Sequence, residues 1–184
     1  MARRRRLSRG PEGSARANRW IETAAVASTS AFACGALLTQ TVIVPAWRHM
    51  DPATFLSSFQ VQGPVTGATL FPFELASATL LGISAYSATV HHRSGRLVWV
   101  LATAGMIGTF VLLPLYFVRA DLAMLDPTFP PRAVSAELTS WNRWNWVRTG
   151  LGLTSAVLAC VALAAGRDVH AVTADEAGEG TTST

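Results

Sequence analysis

The chain has 184 residues, of which half are hydrophobic and only 14% are charged. A soluble domain of this size usually carries about 25% charged residues, so the composition argues against a soluble domain and indicates lipid as the surrounding solvent. The formal net charge of +4 is concentrated in short segments between apolar ones. It therefore indicates orientation in a membrane and argues against nucleic-acid binding.

Four apolar stretches organise the sequence, at residues 21–46, 65–90, 97–118 and 144–166. Each is close to the roughly 20 residues that a helix needs to cross about 30 Å of hydrocarbon. They predict an all-α fold, an integral membrane four-helix bundle over residues 20–167 with two outer loops that carry short amphipathic helices. Residues 1–19 and 168–184 are rich in polar and small residues and are predicted to be disordered tails.

The amino-terminal tail is rich in arginine, and a second short basic segment lies at residues 91–96. Short basic segments stay in the cytoplasm, so both termini are predicted to be cytoplasmic, with the helices in the cell (inner) membrane. A basic segment before an apolar one can also be a secretory or twin-arginine signal. The first apolar stretch continues past Cys34 to Pro45, which is too long for a signal and favours a retained helix.

Cysteines and histidines give no sign of a metal or redox centre. Cys34 and Cys160 fall within apolar stretches, where small thiols serve as packing residues, so no disulfide is predicted. His91 and His92 lie in a predicted turn without a third ligand nearby in the sequence, which favours a solvated loop. Since no haem, flavin or nucleotide motif occurs either, no metal and no cofactor is predicted.

Two ionisable residues lie deep in the predicted helices. Glu74 follows the start of the second apolar stretch by about nine residues, or about 13 Å, and Arg148 lies past the tryptophan-rich entrance of the fourth. Because each charge is costly in hydrocarbon without the other, Glu74 is the predicted counter-ion of Arg148. The alternatives are that Arg148 snorkels as an interfacial anchor and that Glu74 is a neutral, hydrogen-bonded structural acid.

Polar side chains fall at a similar depth in all four predicted helices, in the half that is distant from residues 91–96. One cavity between the helices explains this better than four separate accidents, although aromatic residues at this level are also expected in an interfacial belt. The predicted catalytic residues are Glu74, Asn145 and Arg148. The predicted ligand-binding residues are Gln40, Trp47, Phe73, Tyr116, Asp121, Trp141 and Trp144, with Phe71 in the same wall. Such a site suits a flat aromatic or isoprenoid-like molecule with one acidic or phenolic group.

Residues 144–149, Trp-Asn-Trp-Val-Arg-Thr, resemble the W-N-x-V-R-T signature that opens the last helix of the anthrone-oxygenase-like family of membrane proteins. Residues 35–40, 45–48 and 113–117 also resemble that largely uncharacterised family, and the similarity covers about residues 35–154. Family members tend to carry asparagine where this chain has Asp121.

The resemblance implies a four-helix membrane protein, some of whose relatives oxidise anthrones to anthraquinones with O₂ and no known cofactor. Glu74 would then remove the acidic methylene proton, and Asn145 and Arg148 would hold the developing oxyanion. The competing hypothesis is a non-enzymatic membrane protein whose polar groups bind a lipid or small aromatic ligand or form a structural network. A transporter is less favoured because the sequence has no internal repeat.

The predicted partners are membrane lipid and a hydrophobic aromatic small molecule, and nucleic acid is not predicted to bind. Homo-oligomerisation stays open at the level of the sequence.

Overall fold

The computed structural model describes the backbone of residues 11–179 and the side chains of residues 16–166. Almost all of this part of the chain is helical and none of it forms a strand, which confirms the predicted all-α class. The elements in chain order are α1 (Pro11–Leu38), a π-helical turn (Thr39–Ile43), α2 (Val44–Arg48), α3 (Pro52–Val90), α4 (Arg96–Leu112), a second π-helical turn (Leu113–Phe117), α5 (Val118–Leu125), a 3₁₀ turn (Pro131–Ala133) and α6 (Val134–Glu179).

These elements form four spans, each long and apolar enough to cross a membrane, which confirms the predicted four-helix bundle. The first span (Arg16–Arg48) contains α1 and α2, and the second (Pro52–Val90) is α3. The third (Arg96–Leu125) contains α4 and α5, and the fourth (Pro131–Gly166) holds the first part of α6. Each span packs mainly against the spans next to it in the cycle first, second, third, fourth. The second and fourth spans therefore face each other across a diagonal.

The two ends of the bundle differ in composition. We call the end that carries residues 47–64 and 119–143 the tryptophan end, and the end that carries residues 91–96 the histidine end. The buried core near the histidine end is apolar and includes Phe32, Leu81, Trp99, Met106 and Ala159. The buried core at the tryptophan end is aromatic and includes Trp47, Phe55, Phe59, Phe117 and Trp141. Between the two cores lies a buried polar layer with Gln40, Glu74, Asn145 and Arg148.

Two π-helical turns interrupt the first and third spans. Pro114 lies inside the second π turn and Pro45 follows closely after the first. A proline has no N–H to donate and its ring clashes with the carbonyl four residues earlier, and a wider turn relieves that clash. Gln40 lies in the first π turn and is 3% exposed, so the irregular backbone places an amide in the polar layer.

The first outer segment differs from its prediction. The first of the two outer loops was predicted to carry a short amphipathic helix, separate from the second apolar stretch at residues 65–90. Instead α3 continues through Pro64, and both Phe55 and Phe59 are buried. Gly63 supports packing here, because a Cβ at this position would lie 2.8 Å from Phe59 Cζ. The aromatic ring fills the space that a side chain would need, so glycine fits inside the helix.

The helices also reach beyond the predicted tail boundaries. Helical backbone begins at Pro11 and continues to Glu179, whereas the tails were predicted as residues 1–19 and 168–184. Alanine, arginine and glutamate favour helix even without a packing partner. The rest of both predicted tails, residues 1–10 and 180–184, lies outside the described residues.

The histidine end is held by a turn and an ion pair. Gly95 has φ +79°, a left-handed conformation that glycine adopts without a Cβ clash, and α4 starts directly after it. Arg93 Nη1 in this turn donates to Glu22 Oε1 of the first span at 2.6 Å. The Arg93 side chain is 31% exposed and that of Glu22 is 8% exposed, so this pair is partly solvated.

Candidate functional site

An ion pair lies at the centre of the polar layer. Arg148 Nη2 of the fourth span donates to Glu74 Oε2 of the second span at 2.6 Å, across the diagonal of the bundle. Glu74 is 0% exposed and Arg148 is 9% exposed. The structure confirms Glu74 as the counter-ion of Arg148. The alternative of a snorkelling anchor is wrong for Arg148, because its guanidinium meets a carboxylate inside the bundle.

Two aromatic rings accompany the guanidinium of Arg148. Its Cζ lies 5.0 Å from the ring centroid of Phe32 and 5.6 Å from that of Phe117. A cation near the face of an aromatic ring is attracted by the negative quadrupole of that face. The two rings belong to the first and third spans, so all four spans contribute to the surroundings of this ion pair. Neither contact was predicted, because both depend on how the helices are rotated.

An amide network flanks the ion pair. Asn145 Nδ2 donates to Gln40 Oε1 at 2.6 Å, and Gln40 Nε2 donates to Asn142 Oδ1. Asn145 is 1% exposed. Asn142 and Asn145 are three residues apart and therefore lie on one face of α6. These bonds connect the first and fourth spans and fix the orientation of the Asn145 amide beside Arg148.

The polar layer opens into a cavity of about 370 Å³, a volume within the range of about 300–1,000 Å³ that is typical of small-molecule sites. Six of the predicted site residues line it: Trp47, Glu74, Asp121, Trp141, Asn145 and Arg148. Gln40 lies behind the wall and supports it through its bond to Asn145. Phe71, which was predicted for the same wall, also lines the cavity.

Three predicted ligand-binding residues lie away from the cavity. Phe73 is 43% exposed, because successive helical residues differ by about 100° and the inward direction of Glu74 turns Phe73 outward. Tyr116 donates its hydroxyl to Glu137 Oε1 at 2.8 Å, and its ring lies 5.8 Å from that of Trp144. Trp144 is 39% exposed. Aromatic residues at this level were predicted either to line the cavity or to form an interfacial belt. These three residues agree with the interfacial belt.

The other lining residues were not predicted. Thr39, Gly63, Thr66, Gly67 and Ala68 are small, so they leave space without contributing an obvious functional group. Phe59 and Phe117 are of a residue type that is common in any buried core. A helical-spacing pattern along residues 59–74 of α3 could have identified this face, since Phe59, Gly63, Gly67, Phe71 and Glu74 recur at intervals of three or four residues.

An aromatic cap covers the cavity at the tryptophan end. The ring centroid of Trp47 lies 5.4 Å from that of Phe59 and 5.7 Å from that of Trp141, in edge-to-face arrangements. Trp141 also packs edge-to-face on Phe117 at 5.4 Å. The two indole N–H groups are satisfied within the cap: Trp47 Nε1 donates to Gln62 Oε1 at 2.9 Å and Trp141 Nε1 donates to Asp121 Oδ1 at 3.0 Å. Such pairs favour an ordered, closed arrangement.

Two polar atoms of the ion pair keep free bonding capacity. Glu74 Oε1 and Arg148 Nε are buried and have no hydrogen-bond partner among the described side chains and backbone. One is an acceptor and the other is a donor, and both residues line the cavity. Leaving such atoms unpaired costs about 1–3 kcal/mol each, and more for charged groups. The arrangement can therefore bind a ligand group that donates one hydrogen bond and accepts another.

No family model matches the sequence, and comparisons with curated proteins and with solved structures likewise give no significant match. The fold and the site define a class nonetheless. The chain is a four-helix membrane bundle with a buried ion pair and a small-molecule-sized cavity near one end.

Proposed function

We propose that this protein binds a lipid-soluble aromatic molecule with one hydroxyl or enol group in the cavity at the tryptophan end. The observation that carries the proposal is the pair of buried, unpartnered atoms, Glu74 Oε1 and Arg148 Nε, in two residues that line an otherwise largely apolar cavity. A hydroxyl donates its proton to the carboxylate oxygen and accepts the guanidinium N–H, so one group satisfies both atoms.

The remaining walls suit a flat apolar body. Trp47, Phe59, Phe71, Phe117 and Trp141 provide aromatic surface around the cavity. Aromatic side chains pack favourably against ligand rings in offset or edge-to-face arrangements. An isoprenoid chain also fits such a surface, but its single hydroxyl would have to reach the buried polar layer. The compact aromatic class therefore agrees best with the depth of Glu74 and Arg148.

Binding can be tested with 2-naphthol and naphthalene on protein in lipid nanodiscs. We expect saturable binding of 2-naphthol and at least about tenfold weaker binding of naphthalene, because naphthalene leaves both polar atoms unpaired. Partitioning of each probe into protein-containing nanodiscs, compared with empty nanodiscs, gives the occupancy. Equal affinity for the two probes would contradict a role for the ion pair in ligand binding.

The chain offers a matched control for this experiment. Glu22 is a second buried carboxylate that is paired with an arginine at 2.6 Å, at the opposite end of the bundle. Glu74→Gln should weaken 2-naphthol binding, whereas Glu22→Gln should leave it unchanged. If both substitutions weaken binding equally, the effect would come from the stability of the bundle and not from the site.

A second candidate function is oxygenation of an anthrone-like substrate without a cofactor, and the observation that favours it is the same free carboxylate oxygen. Glu74 Oε1 would take a proton from the acidic methylene, and Arg148 and Asn145 would stabilise the oxyanion that forms. The resulting carbanion would give electrons to O₂ and form a C–O bond, and the hydroperoxide would lose water to give the anthraquinone. The resemblance of residues 144–149 to the anthrone-oxygenase-like family supports this candidate.

The binding and oxygenase hypotheses differ in what they require of Glu74. Oxygenation needs a carboxylate that takes a proton from carbon while its other oxygen is held by Arg148 at 2.6 Å. Binding needs only an acceptor. Because binding asks less of the site, it is the first candidate.

We further propose that the protein lies in the cell (inner) membrane with its histidine end in the cytoplasm, from the distribution of arginine. Single cysteines at residues 53, 94 and 127 test the orientation in a chain without Cys34 and Cys160. These two native cysteines have to be removed because they are exposed on the bundle surface. The prediction that they are packing residues is therefore wrong. An impermeant maleimide should label Ala53→Cys and Pro127→Cys in intact cells. Labelling of Ser94→Cys from outside would reverse the orientation.

A further inference from the structure

We propose that the cavity opens sideways into the membrane between the second and third spans, and that its ligand enters from the lipid through this opening. We call the opening the lateral portal and define it by Gly67, Ala68 and Phe71 of α3 and Val118 of α5. This inference rests on the proposed function, because it supplies the route by which a lipid-soluble hydroxyl-bearing molecule reaches Glu74 and Arg148.

The cavity is closed on the side of the first and fourth spans. Its lining residues from the first and fourth spans are all buried: Thr39 and Trp47 on one side, and Trp141, Asn145 and Arg148 on the other. At the tryptophan end the aromatic cap covers it, with Trp47 and Phe59 each only 2% exposed. Water thus has no direct path to the cavity through the cap, and a ligand would have to displace several packed rings to enter that way.

The exposed lining residues all lie on one side. Phe71 is 44% exposed and Val118 is 48% exposed, and Gly67 and Ala68 are exposed as well. A Cβ added at Gly67 would meet no heavy atom within 4 Å. In contrast to Gly63, whose place is filled by the Phe59 ring, Gly67 borders open space. The absence of a side chain at this position keeps the lateral portal wide.

The surroundings of the lateral portal are apolar on both edges. Val65 is 60% exposed on the α3 side, and Leu115 and Leu122 are 68% and 63% exposed on the side of the third span. Exposed apolar residues on a membrane bundle face lipid. Arg119 is exposed next to Val118, which places the lateral portal close to the headgroup level. Amphipathic aromatic molecules with a hydroxyl collect at that level for the same reason that tyrosine and tryptophan do.

The lateral portal also fits the polar atoms behind it. Glu74 is 0% exposed and lies one helical turn beyond Leu70 and Phe71 on the lining face of α3. Its Oε1 is buried and unpartnered, and Glu74 is one of the residues that line the cavity that the portal opens into. A molecule that enters ring first or hydroxyl first therefore meets apolar surface and then the ion pair, without crossing water.

The test is kinetic, because a route changes rates and leaves the equilibrium unchanged. Gly67→Phe places a ring in the opening, and Gly82→Phe is the matched control, since Gly82 lies in the same helix, borders open space and does not line the cavity. In proteoliposomes mixed with 2-naphthol-loaded vesicles, Gly67→Phe should slow association and dissociation together by about tenfold. Its affinity should stay within about threefold of the wild type. Gly82→Phe should match the wild type.

Other outcomes separate the two proposals. Wild-type protein that does not bind 2-naphthol would overturn the proposed function and this inference with it. Unchanged rates in Gly67→Phe, with normal wild-type binding, would overturn the lateral portal alone. An affinity loss carried by faster dissociation would mean that the ring fills the cavity, which also overturns it. Val118→Trp, on the opposite edge, gives a second plug with the same expected slowing, so the test does not depend on one variant folding.

Discussion

Leucine in place of Glu74 or Arg148 alone is expected to lower the free energy of unfolding by about 3–5 kcal/mol, the loss that follows when one partner of a buried ion pair is removed. The pair is nearly dry, with side chains 0% and 10% exposed and a 2.6 Å contact. Either single change leaves the other charge unpaired in an apolar bundle. The double change to leucine removes both charges and should recover part of the loss.

Unfolding in mixed micelles, followed by circular dichroism for the wild type and the three variants, measures the coupling between the two residues. The pair at the histidine end gives the comparison, because Arg93 is 31% exposed in its contact with Glu22. A solvated pair is worth less, so Glu22→Leu should cost less than Glu74→Leu. Strictly additive losses for Glu74 and Arg148 would mean that the two residues do not stabilise each other.

The spans and the ion pair could be predicted from the sequence for physical reasons. Hydrocarbon requires about 20 apolar residues per crossing, and each span contains one of the four predicted apolar stretches. Glu74 and Arg148 lie at depths where an unpaired charge is very costly. Since few other charges lie at that depth, the energetic argument alone was enough to pair them. The length of an apolar crossing and the pairing of buried charges are therefore requirements that can be recognised in a sequence.

Helix rotation could not be predicted in the same way. Phe73 and Phe71 are two residues apart, and only the packed structure shows that Phe71 lines the cavity and Phe73 is exposed outside it. Tyr116 and Trp144 belong to residue types that occur both in cavity walls and in interfacial belts. In the structure Tyr116 donates to the Glu137 carboxylate, and the rings of Tyr116 and Trp144 pack on each other. Both contacts depend on the direction in which α6 leaves the loop.

The aromatic cap shows how the bundle combines stability with a cavity. A void in a core normally costs free energy because its walls lose packing contacts. Here the rings of Trp47, Phe59 and Trp141 pack on one another above the void, and the ion pair and amide network bind the helices below it. The cavity is therefore supported from both sides, and the small residues of α3 can leave one side open.

Oxygenase activity, if it is the function, should depend on Glu74 by about 10²–10⁴-fold, the usual contribution of a positioned general base. Glutamine keeps the shape of the side chain but cannot take the methylene proton of an anthrone. O₂ uptake by anthrone with purified protein in nanodiscs should thus fall by at least about 10²-fold in Glu74→Gln. Glu22→Gln should retain the wild-type rate, since Glu22 lies outside the cavity lining.

The comparison must be made against the Glu74→Gln protein, because anthrone also oxidises slowly in buffer. Treatment with a strong chelator should leave the wild-type rate unchanged if the carbanion reacts with O₂ directly. A rate that disappears on chelation would indicate a metal ion and contradict the cofactor-free mechanism. Equal rates for wild type and Glu74→Gln, together with saturable 2-naphthol binding, would instead establish the site as a binding site in which Glu74 serves as a hydrogen-bond acceptor and not as a base.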